Sequence, residues 1–180
     1  ARFARGCFTP ASGCGAGWSL RGGRPATNSA SANADLAGGP AHASTIVVPK
    51  YAAEIADALA KRLAPIAPKG VTDETAALSG FANPKMADFT NAGIEDGLKT
   101  PGAEEVTAKY RDGPRHITGA DGIYLRPTIV RCDSFAHPLA NREYLFPYAA
   151  VVQVPQAKML EQIGPSLVVT AITNDAAWTE

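Results

Sequence analysis

From residue 43 onward, short β-branched runs alternate with amphipathic stretches, and nearly every one stops at a proline or a glycine. That alternation constrains the fold more than any other feature. Ala43-Ser44-Thr45-Ile46-Val47-Val48 reads as a strand ended by Pro49. Tyr51, Ile55, Leu59 and Leu63 recur at i, i+4, which predicts an amphipathic helix closed by Pro65 and Pro68. Asn83-Pro84 opens a second helix, since Asn is a good N-cap and Pro suits a first turn. Its apolar face is predicted at Met86, Phe89, Ile94 and Leu98, with Pro101-Gly102 as the stop. A short strand is expected from Glu105 to Tyr110, then a turn at Asp112-Gly113-Pro114. Tyr124 to Val130 reads as a strand whose Pro127 demands an edge or an irregularity. Ala149–Val154 is a buried strand, Gln156–Ile163 a short helix, and Leu167–Thr173 a further strand. Asn174-Asp175 reads as the N-cap of one more helix. Strands alternating with helices imply an α/β domain with a mostly parallel sheet flanked by helices.

Before that stretch the chain is of another kind. Residues 1–40 hold eight Gly, four Arg and one acidic residue, with no Lys, Glu, Ile or Val. Such a segment has little apolar surface to offset its ordering entropy, so an irregular or disordered lead-in is expected over 1–40, ahead of a folded domain over 41–180. Gly13-Cys14-Gly15-Ala16-Gly17 matches neither dinucleotide-binding nor P-loop spacing. Arginine without lysine, among Gly, Ala, Pro and Ser, is also what a GC-rich gene yields in a wrong frame. The absence of a starting Met and the cut at Glu180 suggest part of something longer.

Charge and cysteines exclude several classes. With 17 Lys+Arg against 17 Asp+Glu there is no basic surplus for a nucleic-acid partner, and no run is apolar enough to span a membrane. No apolar h-region follows the first residues, so no signal peptide is expected. Three irregularly spaced cysteines, Cys7, Cys14 and Cys132, suit free thiols in a cytoplasmic protein. His42, His116 and His137 lack partners at metal-ligand spacing, so no metal site is expected.

Gly122-Ile123-Tyr124-Leu125-Arg126-Pro127-Thr128 resembles the Gly-Tyr-Phe-x-x-Pro-Thr strand of the aldehyde dehydrogenase superfamily. His137 to Pro147, with Glu143-Tyr144-Leu145-Phe146-Pro147 at its end, is similar to the family's Glu-x-Phe-Gly-Pro motif and its approach. Ala43 to Lys50 resembles the strand that follows the family's catalytic cysteine. The resemblance covers about residues 37–180 and is most specific over 119–175. It implies the distal part of a catalytic domain. It also implies an aldehyde substrate, NAD or NADP, a homo-oligomer as one partner, and oxidation to the acid through a cysteine thiohemiacetal. The motif glutamate, Glu143, would hydrogen-bond the nicotinamide ribose, with Leu145 and Pro147 beside it. Leu145 and Phe146 stand where the motif has Phe and Gly.

Counting back from Pro49, the family's cysteine position falls at Pro40, which has no thiol, so no catalytic residue is assigned. His42 is close in sequence but is no nucleophile. Residues 1–40 contain no glutamate to activate water, and no cofactor-binding half precedes residue 40. Cys132, Asp133 and His137 invite a triad reading. Triads are assembled across a fold rather than within one loop, so a structural thiol is the stronger reading. Three functions follow: an NAD(P)-dependent aldehyde dehydrogenase as the resemblance implies, an inactive fragment or remnant, or an interaction module.

Overall fold

In the computed structural model, which describes residues 44–177 apart from 71, 120, 167, 168, 174 and 176, the first β-branched run is strand β1 (Thr45–Val48). The expectations for residues 1–40, Cys7, Cys14, Pro40 and His42 lie outside the described residues. Helix α1 (Ala52–Leu63) follows, then α2 (Pro84–Lys99), β2 (Ala103–Glu105), β3 (His116–Gly119), β4 (Gly122–Leu125), β5 (Thr128–Cys132), β6 (Tyr148–Gln153) and α3 (Met159–Ile163). Four strands form one sheet in the order β1-β6-β5-β2. β1, β6 and β5 run parallel, and β2 closes the far edge antiparallel to β5. The α/β architecture with a mostly parallel sheet is therefore as the sequence implies.

Period-2 alternation divides the central strands between two covered faces. Ile46, Val48, Ile129, Ala149 and Val151 meet α1 and Val106 on one face. Val130, Ala150 and Val152, fully buried, point to the other. There Thr45 Oγ1 donates to Ala140 O at 2.7 Å, and Tyr148 Oη donates to Leu139 O at 2.7 Å. The segment after β5 thus covers that face.

Helix α1 forms where predicted, but its buried stripe is shifted. Ala52, Ala56 and Ala60 lie on the sheet, and Ile55, Leu59 and Leu63 are flanks that pack beside them. Small side chains let the helix axis approach the strands, and the larger ones fill the sides. Tyr51 is not in the stripe: it holds the N-cap position with φ of 65° and is exposed. At the other end, the Arg126 guanidinium donates to Ala64 O at 2.9 Å and to Asp112 O, which ties the C-terminus of α1 to the loop before β3.

Helix α2 begins as the sequence predicts, with Asn83 Oδ1 accepting from Lys85 N at 3.1 Å and Pro84 in the first turn. Its buried face is Ala87, Thr90, Ile94 and Gly97. Of the predicted face only Ile94 is buried; Leu98 is half-buried, and Met86 and Phe89 face solvent. The reason is close approach at Gly97, where a Cβ would stand 2.6 Å from Leu139 Cγ.

Three strand expectations are corrected. The strand expected over Glu105–Tyr110 ends at Glu105, and Val106–Lys109 is a 3-10 turn. Thr107 turns inward there, and its hydroxyl accepts from Ile129 N at 3.2 Å. Tyr124–Val130 is not one strand. β4 pairs with β3 in a separate two-stranded sheet, and β5 pairs with β6. The chain changes sheets at Arg126-Pro127, where proline has no N–H to continue a ladder. Residues 169–173 hold no strand, because a strand exists only through pairing and no ladder includes them; Leu167 and Val168 lie outside the described residues. The helix expected at Gln156–Ile163 starts as a 3-10 turn over Gln156–Lys158 before α3. At Asp175, Oδ1 accepts from Ala177 N at 3.1 Å, and Asn174 lies outside the described residues. No helix among the described residues is long and apolar enough to cross a membrane.

Candidate functional site

The motif residues Glu143, Leu145 and Pro147 sit on the segment that leads into β6. β1 and β6 are parallel neighbours, with Thr45 opposite Ala150 and Ala150 N donating to Ser44 O at 3.0 Å. The chain therefore begins β1 at the same end of the sheet where it begins β6. That end gathers the start of β1 and the Glu143–Pro147 approach.

The approach is anchored from below. Pro147 is buried, and its carbonyl accepts from Thr128 N at 2.9 Å. Phe146, 2% exposed, turns into the core instead of standing where glycine would allow a ligand close approach. It packs 6.1 Å from the Tyr148 ring, and Tyr144 meets Tyr148 edge-on at 4.8 Å. Burial pushes the Tyr144 and Tyr148 phenols up, so both stay neutral. Above this aromatic floor Glu143 and Leu145 are exposed. The three residues are therefore not one surface: Glu143 and Leu145 face outward, and Pro147 serves as anchor.

A buried ionic cluster with no simple signature in the sequence lies elsewhere on the sheet. Glu105, on β2, receives Arg111 Nη2 at 2.6 Å through Oε1 and Arg115 Nη2 through Oε2. All three side chains are at most 9% exposed. Arg115 also reaches Asn91 Oδ1 at 2.8 Å and Glu95 at 3.1 Å, tying the cluster to α2. Burial alone would push the Glu105 carboxyl up, but Arg115 and Arg111 more than offset it and hold it below the ordinary range. The residues concerned are scattered over Asn91 to Arg115, and only the fold brings them together.

The triad residues behave otherwise. Cys132 Sγ lies 3.8 Å from His137 Nδ1, so the structure does bring these two together. Yet His137 Nδ1 accepts from Leu139 N at 3.1 Å, which leaves Nε2 to donate to Thr100 O at 3.2 Å. Backbone groups on both ring nitrogens thereby fix the ring's orientation. Cys132 is 2% exposed, and burial together with Asp133 pushes its thiol up to about 11. Asp133 pairs with Arg131 at 3.5 Å. The arrangement stabilises a loop and offers no thiolate at neutral pH.

A separate cleft of about 280 Å³ opens at the opposite, C-terminal end of the strands. Its lining includes Ala52, Glu54, Arg131, Cys132, Asp133 and Gln153. Open α/β sheets bind dinucleotides at such an end through a glycine-bearing turn. The turn here is Pro49-Lys50-Tyr51, which lacks glycine. For a nicotinamide cofactor the described residues fit a single contact, an exposed Glu143 carboxylate able to accept from a ribose diol. They offer no pyrophosphate cradle. No group of three or more His, Cys, Asp or Glu among the described residues could hold a metal ion.

No protein-family model matches the chain, and no curated protein matches it in sequence. Among solved structures it is similar to a Burkholderia cenocepacia protein described as an aldehyde dehydrogenase, with a TM-score of 0.55 and 16% identity. The match covers 74% of this chain and 28% of that one, so the chain spans under a third of that protein's length. At such identity the likeness concerns the fold: the described sheet and helices have an aldehyde dehydrogenase-like architecture.

Proposed function

We propose that this chain carries the distal part of an aldehyde dehydrogenase-type catalytic domain, and that by itself it does not oxidise aldehydes. The observation that carries the first half is the parallel pairing of β1 with β6. The resemblance assigns the nucleophile segment to the start of β1 and the ribose contact to the start of β6. Parallel neighbours bring the two strand starts to one end of the sheet. In intact relatives the substrate is an aldehyde, and a bound NAD or NADP supplies the hydride acceptor. In this chain Glu143 would accept hydrogen bonds from the ribose hydroxyls, held at its height by buried Phe146 and Pro147. Leu145 would offer an apolar surface beside it.

The second half rests on the thiols. The cysteine position of the motif holds Pro40, and Cys132 is buried, protonated and held beside His137. Neither can form a thiohemiacetal. The test mixes the purified chain with NAD+ or NADP+ and a panel of aliphatic and aromatic aldehydes, following reduced nicotinamide by absorbance. Turnover above a no-protein control would overturn the inactive reading. A parallel NADH fluorescence titration addresses Glu143: weak binding that Glu143→Gln reduces further is expected. Binding indifferent to that change would remove Glu143 from the cofactor contact.

A further inference from the structure

The outward face of α2 pairs an exposed aromatic with an open notch. At 100° per residue, Lys85, Met86, Phe89, Ala92, Gly93 and Asp96 fall on one side of the helix, away from the buried Ala87, Thr90, Ile94 and Gly97. All six are exposed. Phe89 is 75% exposed, the highest value among the large hydrophobics described. One turn on, a Cβ added at Gly93 would meet nothing within 4 Å. Lys85 precedes this pair and Asp96 follows it, so the face reads cation, aromatic, small, anion.

That order is self-complementary under a two-fold axis. If two α2 helices lie antiparallel about a point between residues 90 and 91, Phe89 of each copy meets Ala92 and Gly93 of the other. The same register puts Lys85 of each copy opposite Asp96 of the other, at both ends of a contact roughly 16 Å long. An isologous contact needs one patch that fits itself, and each favourable pair is made twice. In the single chain Asp96 holds a surface pair with Lys99 at 3.3 Å, both side chains at least 76% exposed, which it gives up at little cost.

We infer that α2 is a self-association surface, through which two copies of this chain pair antiparallel with Phe89 seated over Ala92 and Gly93. This does not rest on the oxidoreductase reading. A contact of one helix per copy falls below the roughly 1,200 Å² of stable interfaces, so a weak dimer is expected, with Kd on the order of tens to hundreds of micromolar.

Sedimentation velocity over a concentration series tests it, with circular dichroism confirming that each variant stays folded. Phe89→Ala should raise Kd about tenfold or more. Lys85→Glu alone, or Asp96→Lys alone, sets like charges opposite each other twice and should raise Kd by roughly tenfold. The double variant Lys85→Glu with Asp96→Lys should restore the wild-type Kd. An equimolar mixture of the two single variants should dimerise more tightly than either alone. A chain that stays monomeric throughout would overturn the inference. So would association that ignores Phe89→Ala, or charge reversals without rescue in the double variant.

Discussion

Glu105→Ala removes the one carboxylate that serves two buried guanidinium groups. Arg111 and Arg115 have side chains 4% and 2% exposed, so neither can recover full hydration when Glu105 is truncated. Breaking such a pair by deleting one partner costs about 3–5 kcal/mol, most of it the penalty of the charges left behind. Three acceptor contacts go with it: Arg111 Nη2, Arg115 Nη2 and the Thr107 hydroxyl at 3.3 Å. Arg115 keeps Asn91 and Glu95, which moderates the loss and favours the lower end of that range. Against a total stability of about 5–15 kcal/mol for a domain, a loss near the lower end is large. The assay is urea unfolding followed by circular dichroism. Glu104→Ala, one residue earlier with a half-exposed side chain paired to Lys109 at 2.6 Å and to Arg131 at 3.6 Å, is the control and should cost about 1 kcal/mol or less, well below Glu105→Ala. Acid titration gives an independent reading. Glu105 has its folded pKa depressed below its ordinary 4.5, so its contribution is complete above that value and is lost as pH falls through the folded value. The gap between wild type and Glu105→Gln should therefore narrow below about pH 4.5. A cost of about 1 kcal/mol or less for Glu105→Ala, or a gap that widens in acid, would refute the reasoning.

Two further outcomes are expected. Gly97→Ala drives a Cβ to 2.6 Å from both Leu139 Cγ and Cδ2 and should destabilise by about 1–3 kcal/mol, with Gly93→Ala on the exposed side of α2 neutral or slightly stabilising in the same denaturation assay. Cys132, with its thiol pushed up to about 11, should resist iodoacetamide at about pH 8 in the folded chain and label readily in urea; peptide mass spectrometry would separate it from Cys7 and Cys14, and rapid labelling in the folded state would contradict the buried, protonated thiol.

What a sequence reveals here follows from the range of the forces involved. Asn83-Pro84 marks the start of α2 because capping is local: the acceptor is two residues from its donor. The apolar runs of β5 and β6 are legible because strands buried on both faces must be largely apolar, and half-buried β1 is legible through its β-branched residues. The buried faces of the two long helices depart from expectation for a shared reason. Periodicity of large apolar residues treats size as the sign of burial, whereas Ala52, Ala56, Ala60 and Gly97 are inside because they are small. Whether a helix buries its large or its small residues depends on how near the partner comes, and the partner of Gly97 is Leu139, far along the chain. The split at Pro127 is half legible: the missing N–H predicts an irregularity, but not that β4 and β5 join different sheets.

The same limit applies to the candidate site. Glu143 and Pro147 stand out through a short motif, and the motif's local order survives as an anchored segment with one exposed carboxylate. Phe146 stands where the motif has glycine, which bears on how closely a cofactor could approach the backbone. Its ring turns under the segment and packs near Tyr148. A bulky residue blocks a ligand only if its side chain faces that ligand, and Phe146 is instead drawn into the core with Pro147 and Tyr148, both buried. The substitution therefore leaves the Glu143 carboxylate exposed, as a ribose contact would require. By the resemblance, the motif's cysteine position ahead of β1 holds Pro40, which has no thiol, while Cys7 and Cys14 stand far from that position in sequence. By the same resemblance, Pro40→Cys is the change that would restore a thiol at the motif's nucleophile position.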